Sequence, residues 1–150
     1  HKPGEWIKTN RFSTLSELKD IIKEKKQYDA VIVPAALSDF IPTKVKGKLD
    51  SSEAISLKMK KAPKIIDNIR KKHKGLLYSF KLGSKISDSE LIKKAKELLE
   101  KSDCVIANYS EALGSKKNKI AIIDKENVEW IKGTKIELSK TILEKITSEL

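Results

Sequence analysis

A single cysteine, Cys104, excludes a disulfide framework and any cysteine-based zinc site. It sits in an apolar run and reads as a small buried hydrophobe. The two histidines, His1 and His73, stand far apart in basic, polar surroundings, and His73 is expected on the exposed end of a helix. The six glycines never cluster, so no glycine-rich phosphate cradle is present. Aromatic residues make up 5%, which leaves few stacking platforms for single-stranded nucleic acid. Trp6 and Trp130 read as packing residues, neither beside a cluster of other aromatics. No run of about 18 apolar residues occurs, so no membrane span is expected. No charged-then-apolar leader with a small-residue cleavage site stands in these residues, and a reducing cytoplasm is the expected compartment. The sequence opens on His1 and runs straight into strand-like residues, as expected of a piece of a longer protein.

What is plentiful is charge. Thirty-two basic and 21 acidic residues in 150 give a formal net charge of +11, which attracts anions of every kind. The lysines are spread over all segments, often beside Glu or Asp on helix faces. Most therefore read as solvated surface. This Lys/Glu-heavy composition resembles that of proteins from hot environments.

The hydrophobic pattern alternates between two periods. Residues 5–9 read as a short strand. Thr14 and Glu17 form a capping box, followed by Leu15, Leu18 and Ile22 at helical spacing, in a helix stopping near Lys26. Residues 30–36 (Ala-Val-Ile-Val-Pro-Ala-Ala) read as a strand buried on both faces. Ile55, Leu57 and Met59 alternate with polar residues, as in a half-buried strand. Pro63 suits the first turn of a helix holding Ile65, Ile66 and Ile69, ended by Gly75. Residues 76–82 form another strand. Ser87 and Glu90 cap a helix with the stripe Leu91, Ala95, Leu98 and Leu99. Residues 103–107 are a further buried strand, ending in Asn108. Residues 120–123 and 128–131 flank Asp-Lys-Glu-Asn as an antiparallel hairpin, and a last helix carries Ile142, Leu143 and Ile146. The expected fold is α/β: a Rossmann-like three-layer arrangement with a mainly parallel sheet and an antiparallel hairpin appendage, in one domain over residues 1–150.

In such sheets ligands bind beyond the carboxyl ends of the strands. That selects residues 35–40, 80–83 and 108–118. Asp39, just past a buried strand, can accept hydrogen bonds from a ribose or position Mg²⁺; capping a turn is its competing structural role. Lys44, Lys46 and Lys48 can neutralise a phosphate chain, or simply keep a surface loop soluble.

The order of short segments carries a resemblance. Ala35-Ala36-Leu37-Ser38-Asp39-Phe40 is similar to the Ala-Ala-Val-Ala-Asp-Tyr signature of the phosphopantothenate–cysteine ligase family. Lys48 stands where that family has its flap lysine, residues 55–59 where it has an alternating strand, and Lys61-Ala62-Pro63-Lys64-Ile65 where it has Lys-Asn-Pro-Asp-Ile. Ser79-Phe80-Lys81-Leu82-Gly83-Ser84 resembles Gly-Phe-Ala-Ala-Glu-Thr. Asp103-Cys104-Val105-Ile106-Ala107-Asn108 resembles Asp-Leu-Ile-Val-Ala-Asn, and Leu113-Gly114-Ser115-Lys116-Lys117-Asn118 resembles Phe-Gly-Ser-Asp-x-Asn. No single piece is specific; five in this order are.

The resemblance implies a CTP-dependent ligase of coenzyme A biosynthesis, with Mg²⁺ as cofactor. The phosphopantothenate carboxylate would attack the α-phosphate of CTP, and the cysteine amine would then displace CMP from the acyl-cytidylate. It implies a nucleotide site of Ala35, Asp39, Ala62, Pro63, Lys64, Ile65, Phe80 and Lys96, with Lys48 both binding nucleotide and stabilising charge in catalysis. Asn108 would meet the intermediate. A second helix lysine is open: Glu100 occupies its spacing, and Lys101 fits if one residue is missing. It further implies a homodimer through the hairpin over residues 120–131, a fused flavin-dependent decarboxylase elsewhere in the full protein (with FMN only there), and neither nucleic acid nor membrane as partner.

The sequence also departs from the pattern: Lys64 replaces an Asp, Ala62 an Asn, Tyr109 and Lys116 an Asp each, which suggests an archaeal branch. The family's earlier strand–helix–strand region, with its glycine-rich loop and an Asn for the acyl-cytidylate, is not in this sequence. Two other readings stand beside it: a basic α/β nucleic-acid-binding module and a catalytically silent nucleotide-binding domain.

Overall fold

A computed structural model describes residues 7–23, 27–35, 37–43, 47 and 54–150. The expectations placed on Trp6, Ala36, Lys44, Lys46 and Lys48 lie outside the described residues.

Helix α1 (Leu15–Lys23) begins as the sequence indicates. The Thr14 hydroxyl accepts from the Glu17 amide (3.2 Å) and the Glu17 carboxylate accepts from the Ser13 amide (2.7 Å), satisfying two of the first turn's free donors. Then come β1 (Ala30–Val33), β2 (Phe40–Pro42), β3 (Met59–Lys61), α2 (Ile65–Lys72), β4 (Leu76–Gly83) and α3 (Asp88–Lys96). A 3₁₀ turn (Glu97–Glu100) leads to β5 (Cys104–Tyr109), and a second (Ser110–Ala112) to β6 (Lys117–Ile123), β7 (Val128–Thr134) and α4 (Lys135–Ser148).

The main sheet has the order β1-β4-β5-β6-β7. β1, β4 and β5 run parallel, and the hairpin β6–β7 continues the sheet antiparallel to β5. Strand side chains alternate faces, which divides the core in two. Tyr78, Cys104, Ile106 and Ile122 pack beneath Leu138, Ile142 and Ile146 of α4. On the opposite face Leu77 packs under Ile65 and Ile69 of α2, and Val105, Ala107 and Ile123 under Leu91 and Ala95 of α3. Each fully buried Leu or Ile here stabilises by about 1.5–3 kcal/mol relative to its exposure. The result is the expected three-layer α/β arrangement.

Several local expectations differ. Residues 7–9 are irregular, not part of a strand. β1 is short and holds no fully buried residue, because it lies at the end of the strand order and Ile32 is 39% exposed. The strand expected over residues 55–59 is only Met59–Lys61; it pairs with β2 in a separate two-stranded ribbon, and Ile55, Leu57 and Met59 are all exposed. Pro63 stands before α2 rather than in its first turn, since Lys64 is the N-cap and Ile65 the first helical residue.

His73 is buried, not exposed. It follows α2 in a turn tucked against the segment before β1, where its ring Nε2 lies 3.1 Å from the Leu76 carbonyl. Gly75 makes the tuck possible: a Cβ there would stand 2.4 Å from the Asp29 carbonyl oxygen. Arg70 closes this end of the molecule, donating to Asp103 (2.9 Å) and to the carbonyls of His73 and Gly75, while Asp103 also accepts from the Leu77 amide (2.8 Å).

Candidate nucleotide site

At the carboxyl ends of β1 and β4 the chain leaves a cleft of ≈ 300 Å³. One wall is Ala35, Leu37, Ser38 and Asp39, the connection following β1. The facing wall is Ala62, Pro63, Lys64 and Ile65, where the chain enters α2. Ser79, Phe80 and Lys81 of β4 form the floor, and Leu98 reaches it from the 3₁₀ turn.

The β2–β3 ribbon brings the two walls together. Phe40 pairs with Lys61, and the Ala62 amide donates to the Asp39 carbonyl at 2.8 Å. Ser38 shapes the bend before β2, its hydroxyl donating to the Phe40 carbonyl at 2.6 Å. Lys64 is thereby placed 2.7 Å from the Asp39 carboxylate, though 25 residues separate them. This hydrogen bond, and then the Lys64 charge, hold the Asp39 carboxyl below its usual range, with Lys81 pulling more weakly in the same direction. Both side chains remain largely exposed, so the pair orders the site more than it stabilises the fold.

Of the residues singled out in the sequence, Ala35, Asp39, Ala62, Pro63, Lys64, Ile65 and Phe80 line this one cleft. Phe80 also packs against the cluster beneath α4. Lys96, exposed at the end of α3, does not line it. Lys101 is held 2.7 Å from Asp67 of α2. Asn108 stands opposite Leu82 and Ile120, half-buried on β5, outside the cleft lining. The sequence reading missed Lys81. Its signal was a lone cation inside an otherwise apolar strand, and only the strand's register shows which way it faces.

Beyond β5 the rim is filled by side chains. Tyr109 stacks on Trp130 (centroids 6.5 Å apart), in keeping with Trp130 as a packing residue. Lys119 lies 3.9 Å over the Trp130 ring and 2.8 Å from Asp88, which also accepts from the Tyr109 hydroxyl. Burial, and then this bond to Asp88, push the Tyr109 hydroxyl up to about 12. Tyr109 is thus a packing residue here.

As to Mg²⁺, the cleft's carboxylate among the described residues is Asp39, already bonded to Lys64. No three His, Cys, Asp or Glu side chains gather among the described residues. Such a donor set does not build a protein cage for the ion.

The family described as DNA/pantothenate metabolism flavoprotein C-terminal domain matches residues 2–150. The chain belongs to that family. Among its relatives is the coenzyme A biosynthesis bifunctional protein CoaBC of Methanocaldococcus jannaschii, 36% identical over 151 residues, with 97% of this chain and 38% of the relative covered. The CoaBC protein of Thermococcus kodakarensis is 32% identical over 145 residues, covering 91% and 36%. The chain therefore spans little more than a third of these relatives' length. Among solved structures, the DNA/pantothenate metabolism flavoprotein from Streptococcus pneumoniae shares the fold with a TM-score of 0.77 at 22% identity, over 98% of this chain and 73% of that one. A Cab2 mutant complexed with phosphopantothenate-cysteine follows at 0.55 and 17% identity, over 75% and 41%. Among the described residues no helix is long and apolar enough to cross a membrane.

Proposed function

We propose that this domain is the cytidine-nucleotide-binding part of a phosphopantothenate–cysteine ligase acting in coenzyme A biosynthesis in the cytoplasm. The observation that carries the reading is the convergence of Asp39, Phe80 and the start of α2 on one cleft at the sheet's carboxyl rim. The names of the CoaBC relatives support the pathway, and their bifunctionality supports a fused decarboxylase in the full-length protein.

In the proposed reaction the phosphopantothenate carboxylate attacks the α-phosphate of CTP, pyrophosphate leaves, and the cysteine amine displaces CMP from the acyl-cytidylate. Negative charge grows on phosphoryl oxygen in the first step and on the acyl oxygen in the second, so fixed cations contribute most of the catalysis. Lys64 and Asp39 would orient the nucleoside, Lys48 would steady the reacting groups, and Mg²⁺ would arrive with the triphosphate. Lys96 is proposed to reach the phosphates from α3, and Lys101 could do so only by leaving Asp67. Asn108 is proposed to meet the intermediate, and the hairpin of β6 and β7 to form a homodimer contact. A nucleic-acid-binding role is less well supported, because Lys23, Lys94, Lys101, Lys119 and Lys145 already meet carboxylates within the molecule.

The test is calorimetric titration of the full-length protein with CTP, ATP and duplex DNA at two salt concentrations. The reading expects a CTP-selective signal that Asp39→Ala weakens, and cysteine coupling that Lys48→Ala impairs. Binding of DNA alone, weakening steeply with salt, would refute it.

A further inference from the structure

Lys81 belongs to β4, which ladders to β1 as far as Ser79 and to β5 beyond it, so at Lys81 the strand is paired on one side, with Ala107 of β5. Its neighbours Tyr78 and Phe80 pack towards α4, which places Ser79 and Lys81 on the α2–α3 side, where the cleft lies. Ser79 anchors that face, its hydroxyl accepting from Ser102 at 2.8 Å in the buried interior. The same cleft has apolar lining residues, among them Val33, Leu37, Ile66 and Leu98.

The charges of the cleft do not cancel. Among its described lining residues stand one acid, Asp39, and two cations, Lys64 and Lys81. Lys64 neutralises Asp39 directly, which leaves Lys81 with no ion-pair partner among the described residues. Three other half-buried lysines meet carboxylates: Lys94 with Glu90, Lys101 with Asp67, and Lys145 with Asp124 and Glu149. Lys19 of α1, like Lys81, has no ion pair among the described residues, but it does not line this cleft at the sheet rim. A half-buried lysine that meets no carboxylate directly favours an anion that can supply the counter-charge. We propose that Lys81 is a phosphate-binding residue of this cleft, donating to a nonbridging oxygen of the nucleotide's phosphate chain while Lys64 stays with Asp39. The proposal rests on the nucleotide-binding reading given above.

The experiment titrates the full-length protein with CTP, cytidine and inorganic tripolyphosphate, comparing wild type with Lys81→Gln, Lys81→Arg and Lys125→Ala. Lys125, in the exposed turn between β6 and β7, controls for loss of one positive charge anywhere on the molecule. Lys81→Gln keeps most of the aliphatic stem, and its thermal midpoint establishes that it folds. Expected is a rise of about tenfold or more in the Kd of CTP and of tripolyphosphate for Lys81→Gln, cytidine binding unchanged, and near-complete recovery in Lys81→Arg. Equal loss in Lys125→Ala, or an unchanged Kd in Lys81→Gln while the wild type binds CTP, overturns the role of Lys81 and leaves the nucleotide site standing. A wild type that binds neither CTP nor tripolyphosphate overturns both.

Discussion

Lys64 and Asp39 meet at 2.7 Å only because the short ribbon of β2 and β3 folds the start of α2 back against the connection after β1. If they act as one unit on a nucleotide, their substitutions will not add. Asp39→Ala and Lys64→Ala should each raise the Kd for CTP by about tenfold, and the double variant by little more than either single. A calorimetric double-mutant cycle measures this; fully additive losses would show that the two residues act separately.

The junction of α4 with the sheet gives a pH-dependent prediction. Lys145 meets Asp124 at 3.0 Å and Glu149 at 2.9 Å, and the Tyr78 hydroxyl donates to Glu149 at 2.6 Å. Burial pushes the Asp124 carboxyl up, but Lys145 and the amides of Asn127 and Glu126 outweigh it, so the carboxyl lies below its usual range. A carboxylate lowered on folding contributes stability above its unfolded value and loses it as the pH falls through the folded one. Lys145 is raised, chiefly by its bond to Glu149, so its contribution is complete below its unfolded value and is lost only in strong base. Thermal midpoints should therefore fall as the pH drops below about 4, and Asp124→Asn should flatten that fall. A variant as acid-sensitive as the wild type would count against Asp124.

Asp103 joins the amide of Leu77 to the guanidinium of Arg70. Removing its carboxylate strands both donors in a partly buried position. Asp103→Ala should cost about 2–3 kcal/mol in urea unfolding, and Asp103→Asn, which keeps one acceptor, about half that. Equal costs would point to lost volume rather than lost bonding.

Cys104 is fully buried beneath α4, and burial is the main cause that pushes its thiol up to about 12. It should stay protonated and unreactive towards a disulfide-exchange reagent at neutral pH, then react fully once the protein is unfolded. Fast labelling of the native protein would contradict this packing.

Much of the architecture was readable from local chemistry. Thr14 and Ser87 open α1 and α3 as helix caps, and the apolar runs around Ile32, Leu77 and Ile106 became the three parallel strands. The acid beyond β1 was readable because strand ends in such sheets face ligands. The misreadings share a cause. Alternation at Ile55, Leu57 and Met59 suggests one buried face, but a sequence does not reveal whether another layer arrives to cover it. His73 looked exposed because its neighbours are polar, yet Gly75 lets the chain turn close against Tyr28 and Asp29. The direction of Lys81, and the meeting of Lys64 with Asp39, depend on register and on a distant ribbon. No local window contains either.

The ribbon has a further consequence for how this protein can change over evolutionary time. Its two strands are fastened at both ends, by Thr43 donating to Lys58 and Ala62 donating to Asp39. The bond between Thr43 and Lys58 closes this end of the ribbon whatever number of residues separates them, and adding residues to a connection closed in this way is thermodynamically cheap. Relatives could insert or delete residues there while both walls of the cleft keep their spacing.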